Sequence, residues 1–217
     1  MVEGLTGSFM NVKTFVCKTD FSCNVYVCES EKGNFIVDLG YYDLEISDYL
    51  KKLSKIDFVI ETHCHFDHIM GLNDFKKEYP DVPVYCFTGE QNLAHNPRQN
   101  GSVLMGNSFV PELEFIQLKE GKIKIGGFDV KVIHTPGHTG GSCVYYFEEE
   151  KILFTGDTII ESSIGRTDLP TGDEAQIYLS VKKISALGLN EEVKCYFGHG
   201  VMLKYGELIK VNPFLSL

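Results

Sequence analysis

The chain has 217 residues, 43% of them hydrophobic, and a formal net charge of -10. That is apolar material enough for a substantial core, with no linker or low-complexity stretch to divide it, so one domain over 1–217 is expected. The acidic balance, without a basic cluster or basic helix face, argues against nucleic acid or an anionic membrane as partner, and no apolar run is long enough to span a bilayer. The start, Met1-Val2-Glu3-Gly4, lacks the basic-plus-apolar pattern of a secretory signal. Seven cysteines (Cys17, Cys23, Cys28, Cys64, Cys86, Cys143, Cys195) make an odd, irregularly spaced set. They read as reduced thiols, most of them small core residues, and a cytoplasmic location is expected.

In chain order, alternation and β-branched or aromatic residues predict strands at 9–16, 23–29 and 34–38. A helix follows at 43–54, with Ile46, Tyr49, Leu50 and Leu53 on one face. Phe58-Val59-Ile60 is a short apolar strand, and Ile69, Leu72 and Phe75 recur at helical spacing after it. A strand at 83–87, a helix at 88–95 and a glycine- and asparagine-bearing loop at 96–108 come next; the loop is positioned to border an active site. Strands at 113–118, 122–134, 142–148 and 151–155 read as a meander, with Gly126-Gly127 as a hairpin turn. The clearest helix covers 174–187, capped by Asp173 with Gln176 and stopped by Gly188. Strands precede helices twice, which predicts two β-sheets packed face to face with helices outside.

Thr62-His63-Cys64-His65-Phe66-Asp67-His68 packs four potential metal ligands into six positions on the turn from strand to helix. His63 and His65, two apart in an extended segment, share a face and can converge on one cation. Asp67 and His68 follow where an acidic residue can cap the next helix. A surface histidine patch does not account for four ligand types at this spacing, and a closed structural zinc site favours CxxC pairs, which the chain lacks. Three more ligands stand at strand ends: His138 after a Pro136-Gly137 turn, Asp157 in Thr155-Gly156-Asp157-Thr158, and His199 in Gly198-His199-Gly200, where glycines admit the backbone close to the site. His/Asp coordination points to a site that keeps a position for water.

The order His-x-His-x-Asp-His, then His, Asp and His resembles the metallo-β-lactamase-fold hydrolase superfamily. The resemblance implies an α/β, four-layer αββα sandwich of two mixed β-sheets with outer helices. It also implies two divalent metal ions: His63, His65 and His138 on the first, Asp67, His68 and His199 on the second, with Asp157 bridging. Zinc is the implied metal, and His and carboxylate ligands also accept iron or manganese. β-Lactamases of the superfamily generally lack the bridging Asp, which argues against that activity, and the diiron flavoprotein branch usually has Glu where His65 stands. Ser163-Ile164-Gly165-Arg166-Thr167-Asp168, Gly172-Asp173, Phe197-Gly198-His199-Gly200 and the stretch from Gly206-Glu207 to Asn212-Pro213-Phe214-Leu215 look like the short glyoxalase II-like hydrolases. That family usually has Pro where Phe197 stands and Arg where Lys210 stands. It continues, in full-length members, into a helical glutathione-binding domain for which this chain has no room after His199.

The reading that follows is a metal-dependent hydrolase acting on a small-molecule thioester or related acyl bond, of the hydroxyacyl-glutathione type, with a metal-bridging hydroxide as nucleophile. Asp67 is the candidate catalytic group, accepting a proton or orienting the nucleophile while ligating. The alternatives are a mononuclear iron persulfide dioxygenase, which shares a Gly-Arg-Thr-Asp stretch, and a non-catalytic metal-binding domain. Asp38 is a candidate to orient a ligand from behind, or else a turn-capping Asp. Arg166 and Asp168 either shape the pocket or form a structural ion pair. His134 and His95 read as structural, and Cys64 as a buried thiol. Oligomeric state is left open.

Overall fold

The structure, a computed structural model, describes residues 9–16 and 23–216; Cys17 lies outside them. The strands are β1 (Asn11–Phe15), β2 (Val25–Ser30), β3 (Gly33–Val37), β4 (Phe58–Ile60), β5 (Val84–Phe87), β6 (Ile116–Leu118), β7 (Gly121–Ile125), β8 (Phe128–His134), β9 (Cys143–Phe147), β10 (Ile152–Gly156), β11 (Ile159–Ile160), β12 (Ser163–Ile164), β13 (Lys194–Phe197) and β14 (Leu203–Lys204). The helices are α1 (Leu44–Leu50), α2 (Phe66–Ile69), α3 (Leu72–Glu78), α4 (Glu90–Ala94), α5 (Glu174–Ser185) and α6 (Tyr205–Val211).

β1 to β6 make one six-stranded sheet in sequence order, and β14-β13-β10-β9-β8-β7 make the second. Both are mixed: β3 to β6 pair in parallel while β1 to β3 are antiparallel, and β10 pairs β13 in parallel within an otherwise antiparallel sheet. The two-residue period of the strands sorts side chains between layers. On the first sheet Tyr26, Cys28, Phe35, Val37, Phe58 and Ile60 point into the space between the sheets. Val25, Val27, Ile36 and Val59 point outward onto α1 and α3 through Ile46, Leu50, Leu72 and Phe75. On the second sheet Val132, Tyr145, Phe147 and Phe154 face inward, while Ile133, Val144 and Leu153 pack against Val181 and Ile184 of α5 and Leu208 of α6. The result is a four-layer αββα sandwich. Its central layer is aromatic: the Phe35 ring stacks on Phe58 at 4.7 Å and on Phe147 at 5.0 Å, joining the two sheets.

Several local expectations differ from the fold. β6 is not part of the meander; it pairs in parallel with β5, so the chain crosses between sheets at Lys119-Glu120 and the meander starts at β7. Gly126 and Gly127 turn the β7-β8 hairpin with φ of 54° and 91°, a left-handed pair that only glycine adopts cheaply. α1 ends at Leu50, beyond which Lys52 and Leu53 bond three residues back in a tighter turn. Behind the motif two short helices form in place of one, because the Gly71 amide donates to the Leu39 carbonyl instead of continuing the ladder. Asp67 sits inside the first turn of α2, whose N-cap is His65. On α5 the Asp173 carboxylate accepts the Gln176 amide at 2.9 Å, as the capping pair predicts. Among the described residues no helix is long and apolar enough to cross a membrane.

Candidate metal centre

The ends of β4, β8, β10 and β13 open onto one edge of the sandwich, and the loops leaving them carry the site. All seven predicted ligands meet there in three overlapping groups: His63, His65 and His138; His63, His68 and Asp157; and Asp67, His68 and His199. Within each group the potential ligand atoms lie within 4.8 Å of one another.

The first group is buried and close. His65 Nδ1 lies 2.8 Å from His138 Nε2, which lies 3.1 Å from His63 Nε2. The far side of each of two rings is held by the chain. His138 Nδ1 donates to the Arg166 carbonyl at 2.8 Å. His63 Nδ1 is 3.2 Å from Thr62 Oγ1, which itself donates to Asp38 Oδ2 at 2.8 Å. Both therefore turn an unprotonated Nε2 inward. Burial, reinforced by the neighbouring imidazoles, pushes His63 well below the ordinary histidine range and His65 down to about 3. Imidazole lone pairs aimed at one point repel one another unless a cation sits between them.

The second group is charged. His68 Nδ1 is 3.0 Å from Asp38 Oδ2, and His199 Nε2 is 3.2 Å from Asp67 Oδ2. Burial opposes the His68 imidazolium, but Cys23, Asp38, Asp67 and Asp157 outweigh it and raise its pKa well above the ordinary value. For His199, burial is likewise overcome by Asp67 and Asp157, and its pKa rises. Asp157 stands between the groups, with Oδ1 3.6 Å from His68 Nε2 and Oδ2 3.5 Å from His138 Nε2 and 3.6 Å from His199 Nε2. Burial would raise the carboxyls of Asp157 and Asp67, yet the surrounding histidines win and hold both below the usual range.

The residues fit divalent metal ions. Buried His65 Nε2, His68 Nε2 and Asp157 Oδ1 lack hydrogen-bond partners, a concentration of orphaned polar atoms that a fold tolerates where something else satisfies them. A tetrahedral shell with metal–nitrogen bonds of about 2.0–2.1 Å spaces its nitrogens roughly 3.3 Å apart, close to the spacing of the first group. The nitrogen and oxygen donors, without a thiolate, suit zinc, iron or manganese. Gly198 has no room for a side chain: a Cβ there would strike Asp157 Oδ1 and come within 2.8 Å of the His68 ring. The backbone before His199 reaches the cluster because that position carries no side chain.

The remaining predicted residues sort clearly. Asp38, almost fully buried, accepts the Thr62 amide at 2.7 Å besides its contacts with the Thr62 hydroxyl and His68; it supports both groups rather than merely closing a turn. The Arg166 and Asp168 side chains form an exposed two-pronged ion pair, with 2.7 Å in each prong. Arg166 lines the cleft, and its carbonyl is what holds His138. His134 and His95 lie outside the cluster, bonded to main-chain carbonyls of Gly140, Gln91 and Leu113. The six cysteines among the described residues are free and buried.

One residue was missed. Glu90, fully buried on α4, accepts the Cys64 amide at 2.7 Å, the Thr139 hydroxyl at 2.8 Å and the Gly141 amide at 2.9 Å. It ties the His63/His65 loop to the His138 loop. Nothing local marked it, since a Glu in the first turn of a helix is ordinary.

A cleft of about 510 Å³ opens over the cluster, reached by His65, Asp67, His138, Asp157 and His199. The 96–108 loop borders it, as expected, through Asn100, Gly101, Leu104 and Met105.

Comparison with known proteins agrees with this geometry. Residues 19–199 match the family model of the metallo-beta-lactamase superfamily. A probable metallo-hydrolase, YqgX of Bacillus subtilis, is 31% identical over 89% of this chain and 92% of its own. The hydroxyacylglutathione hydrolase GloC of Haemophilus influenzae is 29% identical over 88% and 91%. Among solved structures, BLEG-1 B3 metallo-beta-lactamase superposes with a TM-score of 0.86 at 33% identity, covering 95% of this chain and all of that one. TTHA1623 in a di-iron-bound form gives 0.79 at 28% identity, covering 92% and 98%. With its sandwich, its histidine and aspartate cluster and these relatives, the chain belongs to the metallo-beta-lactamase superfamily of metal-dependent hydrolases.

Proposed function

We propose that the chain is a binuclear metal-dependent hydrolase of a thioester or related acyl bond, the hydroxyacyl thioester of glutathione being the example that the name of the Haemophilus relative suggests. The observation carrying this reading is the pair of ligand groups with Asp157 between them. In this assignment His63, His65 and His138 would hold the first metal and Asp67, His68 and His199 the second, with Asp157 available to both; zinc is the proposed metal. Divalent cations there supply Lewis acidity, lowering the pKa of water from about 15.7 towards about 7 and countering negative charge on a carbonyl oxygen.

The chain's own residues do the rest. Asp157 stays ionised between two sets of histidines and keeps them in register. Asp67 is 30% exposed at its side chain and faces the cleft. Kept as a carboxylate by His68 and His199, it is the residue proposed to take a proton from the attacking water or to orient it. Thr62, Asp38, Glu90 and the Arg166 carbonyl fix the rings so that little rearrangement accompanies reaction.

Metal analysis of the purified protein beside three assays tests this. Two metals per chain, with thioester cleavage that chelation abolishes and metal restores, is the expected outcome. One iron with persulfide-dependent oxygen uptake overturns it in favour of a dioxygenase, and stoichiometric metal without turnover in favour of a binding domain. The 33% identity to a B3 metallo-beta-lactamase makes β-lactam opening a second reading, and β-lactam turnover exceeding that of every thioester would select it.

A further inference from the structure

We propose that the cleft is an acyl-chain subsite that selects apolar acyl thioesters and does not read the charged ends of glutathione; this rests on the thioester reading above. Away from the ligand cluster the cleft is walled by Phe66, Leu104, Met105, Ile160, Ile164 and Leu169. Leu104 and Met105 are 66% and 44% exposed, and the chain works to keep them so. They ride on a 3-10 turn, Ser102–Met105, bracketed by Gly101 and Gly106 with φ of 82° and 71°. Asn100 clamps that turn: its amide donates to the Ala94 and Phe109 carbonyls, and its side-chain oxygen accepts the Ser102 amide. The Ser102 hydroxyl accepts the Phe109 amide. A turn held by this many bonds presents two apolar side chains to solvent at a cost that burial by a ligand would repay.

The polar side chains of the wall are already spent. Asn100 uses its amide and carbonyl on the turn, and Arg166, the one Lys or Arg among the described lining residues, is paired with Asp168. Glutathione carries two carboxylates and a cationic amine, and away from the ligand cluster this wall offers no charged side chain besides the paired Arg166. An uncharged apolar chain next to the scissile carbonyl meets neither obstacle. The reaction balances simply: water adds its oxygen to the carbonyl carbon as the carbon–sulfur bond breaks, one proton goes to the departing thiolate, and the carboxylic acid product releases another.

The experiment is a chain-length series, acetyl to octanoyl, on N-acetylcysteamine and on glutathione, with the metal-loaded enzyme. The expected result is a rise in kcat/KM of about fourfold per methylene until the cleft is filled, with glutathione and N-acetylcysteamine esters of one acyl group agreeing within about threefold. Leu104→Asp, at an exposed position that leaves the core untouched, should cut the octanoyl-to-acetyl ratio by tenfold or more. A flat series, or a glutathione ester favoured more than tenfold, overturns the subsite while leaving the hydrolase standing. Should no thioester turn over, the hydrolase reading fails, and calorimetric binding of ketone analogues with CH2 in place of sulfur still decides the subsite: octanoyl analogues must bind more tightly than acetyl ones, and Leu104→Asp must remove the difference.

Discussion

The two ligand groups differ in kind although they share one edge of the sandwich. The His63, His65 and His138 group is almost fully buried and braced from behind by Thr62, the Arg166 carbonyl and Glu90. The Asp67, His68 and His199 group is ion-paired and opens to solvent at the cleft, with the His199 side chain 39% exposed. A buried, rigid group of inward-facing imidazole nitrogens suits tight retention of a cation. A charged, half-open group exchanges ligands and protons more readily. The fold thus sets a buried cluster beside a half-open one, with Asp157 within 3.6 Å of histidines from both.

Removing the shared residue should have the largest effect. Asp157→Ala is expected to lower metal content at both positions and turnover by roughly 10³-fold, the scale of losing several kcal/mol of charge stabilisation; metal analysis and steady-state kinetics check it, and a fully active, metal-free variant ends the assignment. Glu90→Gln separates the groups. By replacing one acceptor oxygen with an NH2 donor facing at least one of the three donors, it should weaken the more tightly buried metal about 10- to 100-fold, as supporting contacts typically do, and leave the other metal in place in a two-step titration.

The pH dependence of the metal-free protein has opposite sign for the two groups. His65 is held near 3 when folded against 6.5 ordinarily. Below about pH 6.5 the unfolded chain takes up a proton that the folded one refuses, so stability falls as pH drops towards 3. His199 is raised, and its contribution is complete below 6.5 and lost as pH rises through its folded value. Denaturation midpoints against pH should flatten on the acid side in His65→Gln and on the alkaline side in His199→Gln. The smallest effect belongs to Arg166→Ala, which deletes an exposed ion pair but keeps the carbonyl that holds His138; a change within about twofold in metal affinity is expected.

The residues that cluster at the centre were legible because their spacing is local chemistry. Two histidines two apart at a strand end, and an Asp or His after an apolar strand with a glycine beside it, are patterns that can be read without knowing how strands pair. The long helix, its cap and the Gly126-Gly127 hairpin were legible for the same reason. β6 was assigned to the wrong sheet because an apolar strand carries no mark of its partner, and pairing with β5 depends on a crossover through α4 and the 96–108 loop. The two-residue strands β11 and β12 fall below the length at which periodicity is readable.

Sequence alone determined which side chains can bind a metal, the alternation that buries Phe35 and Phe58 on one face and Ile36 and Val59 on the other, and an acidic surface. Only the tertiary structure decided that Glu90 clasps two loops more than forty residues apart in the chain, that Asp38 supports both groups, and that Arg166 contributes its carbonyl to the centre and its charge to Asp168. The reason is physical. A residue's capacity to ligate is set by its own atoms, whereas a buried carboxylate's role is set by which donors the packing of distant segments brings to it.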